Sequence, residues 1–333
     1  MKFSSFTLTG QCLALASLML LISWLSLFTW SSITISPLDA LQALYQFDQD
    51  SIAQHIVRDL RLPRVLVALL VGACLAAAGV IMQGLTLNPL ASPSVLGVNA
   101  GAALGMALVS TITPWFGLLG TTVAAMIGGG LAWSLVMLLG SGWRTGNEQG
   151  RLVLAGVAIS ALCAALTKAL VIIEEDQASA VITWLAGSLT DARWQTFDAF
   201  WPVAVVGLLG ASLLSPSLNL LQLGDDNARN LGVSIGCVKL IGSFLVLLLV
   251  GASLGAVGSI SFVGLLVPHM AKLLIGQDHR RFLPIAILLG ASLVALADTL
   301  SRAIIFPMET PAGAILALIG APFFIYLVRK KTL

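Results

Sequence analysis

Long apolar runs, separated by short polar stretches, make up most of this sequence. A helix needs about 20 apolar residues to cross the hydrocarbon core of a bilayer, and successive runs approach or meet that length. The pattern predicts an all-α integral membrane protein of about ten transmembrane helices, folded as one domain over residues 1–333. The predicted segments are Cys12–Ile35, Pro63–Leu85, Val95–Ile112, Trp115–Leu139, Leu152–Ile173, Phe197–Leu214, Val238–Val257, Ile260–Ile275, Phe282–Ser301 and Pro311–Val328.

The basic residues between these segments predict the orientation of the chain. Ten crossings place both termini on one side of the membrane, and Lys and Arg in short loops favour the cytoplasmic side. Eleven of them fall on the side of the termini and six on the other, so we expect cytoplasmic termini. The eleven are Lys2, Arg144, Arg151, Arg229, Lys239, Lys272, Arg280, Arg281, Arg329, Lys330 and Lys331; the six are Arg58, Arg61, Arg64, Lys168, Arg193 and Arg302.

An internal repeat relates the second and seventh segments. Leu66–Pro89 aligns without gaps to Leu245–Pro268, with a shared Val-Gly-Ala and a Pro at the end of each copy. A glycine, Gly79 or Gly258, follows at the same offset in each copy. The two segments cross in opposite directions, and an inverted repeat of this kind is typical of transporters.

Prolines interrupt the chain beside both copies of the repeat. Asn88, Pro89 and Pro93 lie in a polar break where a continuous helix cannot form, and Pro268 with His269 occupies the matching place in the second copy. Two interpretations are open for the first break. It is either a turn on the cytoplasmic side or a re-entrant segment whose free backbone groups line a cavity.

His269 is the only histidine predicted inside a membrane segment. A single His without Cys, Asp or Glu at ligand spacing does not make a metal site, so we expect no metal. Hydrogen bonding inside the bundle is the ordinary role for such a residue, and contact with a transported ligand is the alternative.

The stretch Leu218–Gly232 is the longest internal polar break on the predicted cytoplasmic side. Acidic residues are favourable at a helix N-terminus, so its Asp pair predicts a short helix. The stretch is either a solvated connector or a helix that docks on a soluble partner. Its candidate coupling residues are Leu218, Asn219, Leu223, Gly224, Asp225, Asp226, Arg229 and Gly232.

Three arginines on the opposite side run against the general charge bias. Arg61 and Arg64 flank Pro63, and Arg302 follows the ninth segment. Arginine forms bidentate pairs with carboxylates, so a partner protein with outward carboxylates could dock here. Snorkelling to lipid headgroups, or pairing with Asp59, is the alternative.

Composition removes several functional classes. The chain is 58% hydrophobic and 10% charged, with a net charge of +2 that gives no basis for nucleic-acid binding. The sequence contains no GxxxxGK[ST] phosphate loop, so any ATP must be hydrolysed by another chain. Four cysteines in or beside apolar runs predict packing residues, and nothing in the sequence predicts a cofactor.

Several of these motifs together resemble the iron-chelate permease family of bacterial ABC importers, and within it the ferric dicitrate permeases. The resemblance runs from about residue 55 to the C-terminus. It is carried by Arg61–Arg64, Asn88–Pro93 with Leu96–Val98, Phe262–His269, His279–Pro284, and Pro311–Gly313 with Gly320–Pro322.

The resemblance implies a vitamin B12 permease-like fold of the type II ABC importer class, in the bacterial inner membrane. It implies a second permease subunit, more in keeping with a heterodimer than a homodimer, two cytoplasmic ATPase subunits and a periplasmic binding protein. Arg61, Arg64 and Arg302 match arginines that receive binding-protein glutamates, and Leu218–Gly232 matches the loop that seats on the ATPase. Leu154–Thr167 matches a helix lining the pathway.

The expected function is import of a ferric chelate, with vitamin B12 or haem as alternative substrates. A secondary transporter driven by an ion gradient is the rival class. Such proteins place ionisable residues in the middle of membrane helices. Here only Lys168, His269 and Asp298 qualify, two of them near predicted helix ends, which disfavours that class.

Overall fold

Helices form every regular element in the part of the chain that the structure, a computed structural model, describes: residues 8–112, 117–140 and 149–330. The start of the predicted fourth segment at Trp115, and the basic residues Lys2, Arg144 and Lys331, lie outside these ranges. The helices are α1 (Leu8–Phe28), α2 (Pro37–Tyr45), α3 (Ile52–His55), α4 (Leu62–Thr86), α5 (Val98–Ile112), α6 (Gly117–Gly140), α7 (Gln149–Ile173), α8 (Glu175–Ala186), α9 (Trp194–Leu221), α10 (Asp225–Asn230), α11 (Ile235–Val257), α12 (Val263–Ile275), α13 (His279–Ala303) and α14 (Ala312–Lys330). A π-helical turn, Ile56–Arg61, joins α3 to α4.

Each predicted membrane segment contains one apolar helix. Within the described ranges, seven helices (α1, α4, α6, α7, α9, α11 and α13) are long and apolar enough to cross a membrane, and α5, α12 and α14 are shorter apolar helices at predicted positions. The first segment ends earlier than predicted, because Trp30 adopts a left-handed conformation and Ser36 caps a separate helix, α2. Helices α2, α3 and α8 were not predicted.

Helix α4 is the centre of the bundle. In its apolar 18-residue stretch, 83% of the residues are buried, and the helix packs against α9, α11, α12 and α13. Glycines bring backbones together at two of these crossings: a Cβ on Gly72 would lie 2.1 Å from the carbonyl oxygen of Gly290, and a Cβ on Gly79 would lie 2.0 Å from that of Gly264. Such contact is the usual means of helix association in lipid.

The repeat predicted the relative direction of two helices but not their register. The end of α4 meets the beginning of α11, where Leu85 packs against Gly242, so the two helices are antiparallel as expected. The gapless alignment fails further on. Gly79 lies inside α4, whereas Gly258 ends α11 with a φ of 76°.

Three glycines at four-residue spacing, Gly97, Gly101 and Gly105, stand at the beginning of α5, and only the last two lie inside the helix. Gly101 and Gly105 pack against the backbone of α6 at Gly128 and Ala124. Gly97 precedes the helix with a φ of 83°, a conformation that favours glycine. The helix therefore begins at Val98 rather than Val95.

Candidate functional site

A cluster of buried charges lies where α4 begins and α13 ends; this end of the bundle is called the arginine face below. The Arg64 Nε donates to both carboxylate oxygens of Asp298, at 2.9 and 3.1 Å, and its Nη2 donates to Asp298 Oδ1 at 2.8 Å. The Arg64 and Asp298 side chains are 8% and 2% exposed. The remaining arm of Arg64, Nη1, donates to Glu309 Oε2 at 2.8 Å.

The other two predicted arginines are also held inside the chain. Arg302 is 1% exposed, donates to the Ser26 carbonyl oxygen at 3.1 Å and lies 3.4 Å from Asp298 Oδ2. Arg61 is 8% exposed and donates to the Trp30 carbonyl oxygen at 2.9 Å. The three arginines therefore lie at one end of the bundle, as predicted, but their guanidinium groups already have partners and do not form an open surface.

Glu309 is the part of this cluster that reaches the surface. Its side chain is 30% exposed and also accepts a hydrogen bond from the Thr190 hydroxyl at 3.0 Å. Partial burial opposes its ionisation, but the charge and hydrogen bonds of Arg64, with the hydrogen bond from Thr190, outweigh burial and lower the pKa of Glu309. Glu309 thus ties the segment after α8 to the beginning of α4.

Sequence reasoning missed the acidic half of this cluster. Asp298 precedes Arg302 by four residues, which places both on one helix face, and this spacing was a usable signal. The contacts of Arg64 with Asp298 and Glu309 span 234 and 245 residues. No local pattern predicts such pairs.

The predicted coupling segment lies at the other end of α4, called the α10 face below. Helix α4 has 25 residues, so at 1.5 Å per residue its two ends lie about 36 Å apart. Helix α10 begins at Asp225, after Gly224 with a φ of 91°, and ends before Gly232 with a φ of 82°. The predicted short helix is therefore present.

The side chains of this segment divide into anchored and exposed groups. Asp225 lies 3.9 Å from Lys239, with both side chains largely buried, and Ala228 packs inward. Asp226 and Arg229 form a loose pair at 3.7 Å with side chains 95% and 58% exposed. Leu223 also faces outward. Exposed charge beside exposed Leu223 is chemistry suited to a soluble partner.

Leu218 and Asn219 do not belong to an exposed loop. Both lie in the last turn of α9, and Leu218 is fully buried. The Asn219 side chain donates to Asp278 Oδ1 at 2.7 Å and accepts from the His279 backbone N–H at 2.8 Å. The break therefore starts at Gln222, and Asn219 fixes the beginning of α13.

A cavity of about 560 Å³ opens beside these residues at the α10 face. It brings the two proline breaks together, because Pro89 and His269 both line it. The His269 ring also packs edge-on against Phe323, with centroids 6.3 Å apart. The other lining residues are Gln83, Gly84, Leu87, Gln222, Lys272, Leu273, Gly276, Gln277 and His279.

The first break returns into the bundle. A Cβ on Gly264 would lie 3.0 Å from the Leu75 carbonyl oxygen and 3.2 Å from Pro93 Cδ, and Leu75 is in the middle of α4. At the same depth the Asn99 side chain donates to the Ile260 carbonyl oxygen at 3.1 Å. The contact of Pro93 with Gly264 beside the middle of α4 supports the re-entrant interpretation, which stays a prediction. Nowhere in the described ranges do three or more His, Cys, Asp or Glu side chains gather as a metal site.

Comparisons with known proteins agree with this architecture. The chain is 48% identical to the Fe(3+) dicitrate transport system permease protein FecC of Escherichia coli (strain K12), covering 94% of this chain and 95% of that one. It is 38% identical to FecD, another permease protein of that dicitrate system, over 83% of this chain and 86% of that one. A metal-chelate-type ABC transporter solved in an inward-facing conformation superposes with a TM-score of 0.81 at 32% identity, covering 96% and 98% of the two chains.

The match also extends to the family as a whole. The profile of the FecCD transport family covers residues 18–330, which includes both proline breaks, the arginine face and the α10 face. The predicted membership and the predicted class of fold are confirmed. This chain is an ABC-transporter permease that belongs to the FecCD transport family.

Proposed function

We propose that this chain carries a ferric chelate of the dicitrate type from the periplasm to the cytoplasm, as one permease subunit of an ATP-driven importer. The observation that carries the proposal is the 48% identity to FecC over nearly the full length of both chains. The arginine face would be periplasmic and the α10 face cytoplasmic, with both termini in the cytoplasm.

A second permease subunit would complete the pathway. FecC and FecD are separate permease proteins of one dicitrate system, which supports a heterodimer over a homodimer. A membrane helix that packs against a partner needs an apolar outer face. In the apolar 18-residue stretch of α7, only 17% of the residues are buried within this chain. Within the predicted pathway-lining range, Leu154, Val157 and Leu162 are exposed and would be available to a second subunit.

Two cytoplasmic ATPase subunits would supply the energy. The exposed residues Leu223, Asp226 and Arg229 at the α10 face are the proposed contacts, while Asp225 holds the segment to α11 through Lys239. ATP binding and hydrolysis would drive a rigid-body change between two states. The cavity lined by Pro89 and His269 lies beside this segment, where such a change would alter it first.

A periplasmic binding protein would deliver the chelate at the arginine face. Arg64 is linked to the surface by Glu309, whose side chain is 30% exposed, whereas Arg302 is almost fully enclosed. A carboxylate of the binding protein could exchange with Glu309 on the same arm of Arg64. Arg61 and Arg302 would then support the site by holding the Ser26–Trp30 backbone.

Uptake of radioactive iron tests the proposal. Cells lacking this chain would be offered a panel of iron chelates that includes citrate, with and without the restored gene. We expect selective loss of ferric citrate uptake, recovered with the gene. Undiminished uptake across the panel would contradict the proposal, and assays with haem and vitamin B12 would then decide between the alternative substrates.

A further inference from the structure

Helix α2 turns its large apolar side chains away from the protein. Ala40 and Ala43, which are small, face inward and are 0% and 4% exposed. The outward-facing residues are Leu38, Leu41, Leu44 and Tyr45, with exposed fractions of 61%, 44%, 44% and 85%. A helix in water would be expected to have the opposite arrangement, because burying large apolar groups is favourable. A medium other than water therefore fits the outer side of α2.

The contacts of the inner side fix the depth of α2. Ala40 and Ala43 belong to a small apolar cluster with Leu27 of α1 and Val65 of α4, and Phe28 packs against that cluster. These three residues occupy the last turn of α1 and the first turn of α4. Helix α2 thus lies at the level where two membrane-crossing helices reach the arginine face.

An exposed apolar surface leads from α1 to α2. In the apolar 18-residue stretch of α1, only 17% of the residues are buried. Leucines such as Leu21 and Leu25 face outward. Trp30 and Ile33, in the connection to α2, are 50% and 46% exposed. An exposed surface of this composition suits acyl chains, and the outer side of α2 extends it.

The polar groups of α2 are used within the chain. Asp39 and Ser36 form a capping box, in which the Ser36 N–H donates to Asp39 Oδ2 at 2.9 Å. Gln42 accepts from the Gln54 side chain at 3.4 Å. No charged residue interrupts the outward stripe, while Trp30 and Tyr45 are the amphipathic aromatic types enriched at membrane–water interfaces.

We propose that α2 lies in the plane of the membrane, with Leu38, Leu41, Leu44 and Tyr45 inserted at the headgroup–acyl boundary of the leaflet on the arginine face. Its ligand is phospholipid, bound through apolar burial as in other interfacial helices. Arg61 donates to the Thr29 and Trp30 carbonyl oxygens in the connection that precedes α2, so this lipid surface adjoins the arginine cluster.

Photo-crosslinking tests the proposal on the unmodified chain. The full chain would be reconstituted in phosphatidylcholine vesicles that carry a diazirine near the headgroup, illuminated, and mapped by mass spectrometry. We expect lipid adducts on residues 38–45 and none on residues 46–51, the polar stretch that follows α2. Absence of adducts on 38–45, when adducts form on the outer end of α1, would overturn the proposal.

A fluorescent probe gives a second, independent measurement. Leu41→Cys and Asp50→Cys, each labelled with NBD in a background where the four native cysteines are replaced, form a matched pair in the same connection. We expect spin-labelled lipid to quench the probe at position 41 severalfold more strongly than at position 50, and aqueous iodide to show the reverse order. Equal iodide quenching at both positions would overturn the proposal, and so would protection of position 41 from both quenchers, because a covering protein would then occupy the stripe.

Discussion

The Arg64 guanidinium and the Asp298 carboxylate form a bidentate pair between α4 and α13, with N–O distances of 2.8–3.1 Å and almost no exposure. Asp298 also receives Arg302 from its own helix. One buried carboxylate therefore balances two buried arginines, and Glu309 supplies the second negative charge from the loop before α14.

Removal of one member of the pair is expected to destabilise the protein strongly. Asp298→Ala leaves Arg64 and Arg302 buried without their shared partner, a type of change that costs about 3–5 kcal/mol. We expect a large loss of thermal stability in detergent. Replacing both Arg64 and Asp298 with leucine should recover part of this loss.

The matched control is Arg281→Ala, which breaks an exposed Arg–Asp pair 3.9 Å apart. Surface pairs of this kind contribute about 0–1 kcal/mol, so its unfolding temperature should be close to that of the unchanged protein. Similar stability of the Asp298→Ala and Arg281→Ala proteins would contradict the assignment of a structural role to the buried pair.

Glu309→Gln is expected to strengthen docking of the proposed binding protein. The neutral amide competes less well for Nη1 of Arg64, so an incoming carboxylate meets a freer partner. We expect about a tenfold lower Kd, the size of effect that one charge contact produces at an interface. Titration of the binding protein onto the reconstituted complex measures it, with Asp191→Asn, an exposed acid near the same face, as control. Weaker docking of the Glu309→Gln complex would mean that Glu309 itself contacts the binding protein.

The stabilising contribution of Glu309 should depend on pH in one direction. Its pKa in the folded protein lies below the ordinary value of 4.5, so the folded state favours the ionised form. The contribution is then fully present above about pH 4.5 and is lost as the pH falls through the lower folded value. The measurement is the difference in unfolding temperature between the unchanged protein and Glu309→Gln. A difference that disappears already near neutral pH would contradict the ion pair with Arg64.

Gly79→Ala is expected to disrupt the crossing of α4 and α12. The added Cβ would meet the backbone of Gly264 at 2.0 Å, and backbone moves less readily than a side chain. We expect a marked drop in the yield of monodisperse protein by size-exclusion chromatography. Gly236→Ala, at a helical glycine with nothing within 4 Å, is the control and should behave like the unchanged protein. Equal yields would show that this crossing can separate at little cost.

Charge reversal at Arg229 is expected to weaken coupling to the proposed ATPase subunit without loss of folding. The side chain is 58% exposed and its pair with Asp226 is loose, so Arg229→Glu should leave the unfolding temperature unchanged. We expect transport per ATP hydrolysed to fall about tenfold, which corresponds to loss of about 1.4 kcal/mol at the interface. Arg280→Glu, an exposed arginine near the same face, is the control. Unchanged coupling in Arg229→Glu would exclude this side chain from the contact.

The placement of the apolar helices followed from the sequence, because long apolar runs stand out between short polar stretches. The short helix α10 was likewise predictable from its acidic start and its flanking glycines. The exact ends of the helices were less predictable from the sequence. Trp30 and Gly97 adopt left-handed conformations that stop or precede helices, and a hydropathy pattern carries no information on such backbone angles.

The roles of the candidate residues were harder to predict than their positions. The sequence pattern of an arginine at the edge of an apolar segment is the same whether its side chain faces a partner protein or a buried acid. Only the packing of α13 against α4 places Asp298 beside Arg64. Similarly, Asn219 follows a buried leucine in a polar stretch, and its contact with Asp278 depends on where α13 begins.

The glycine crossings of α4 also bear on how a transport cycle can proceed. Backbones in direct contact at Gly72 with Gly290, and at Gly79 with Gly264, leave no layer of side chains that could slide or change rotamer. We therefore expect α4, α12 and α13 to travel together as one rigid block. In the proposed two-subunit assembly, opening and closing would then involve lightly packed helices such as α7, and the gate would be formed by both subunits together.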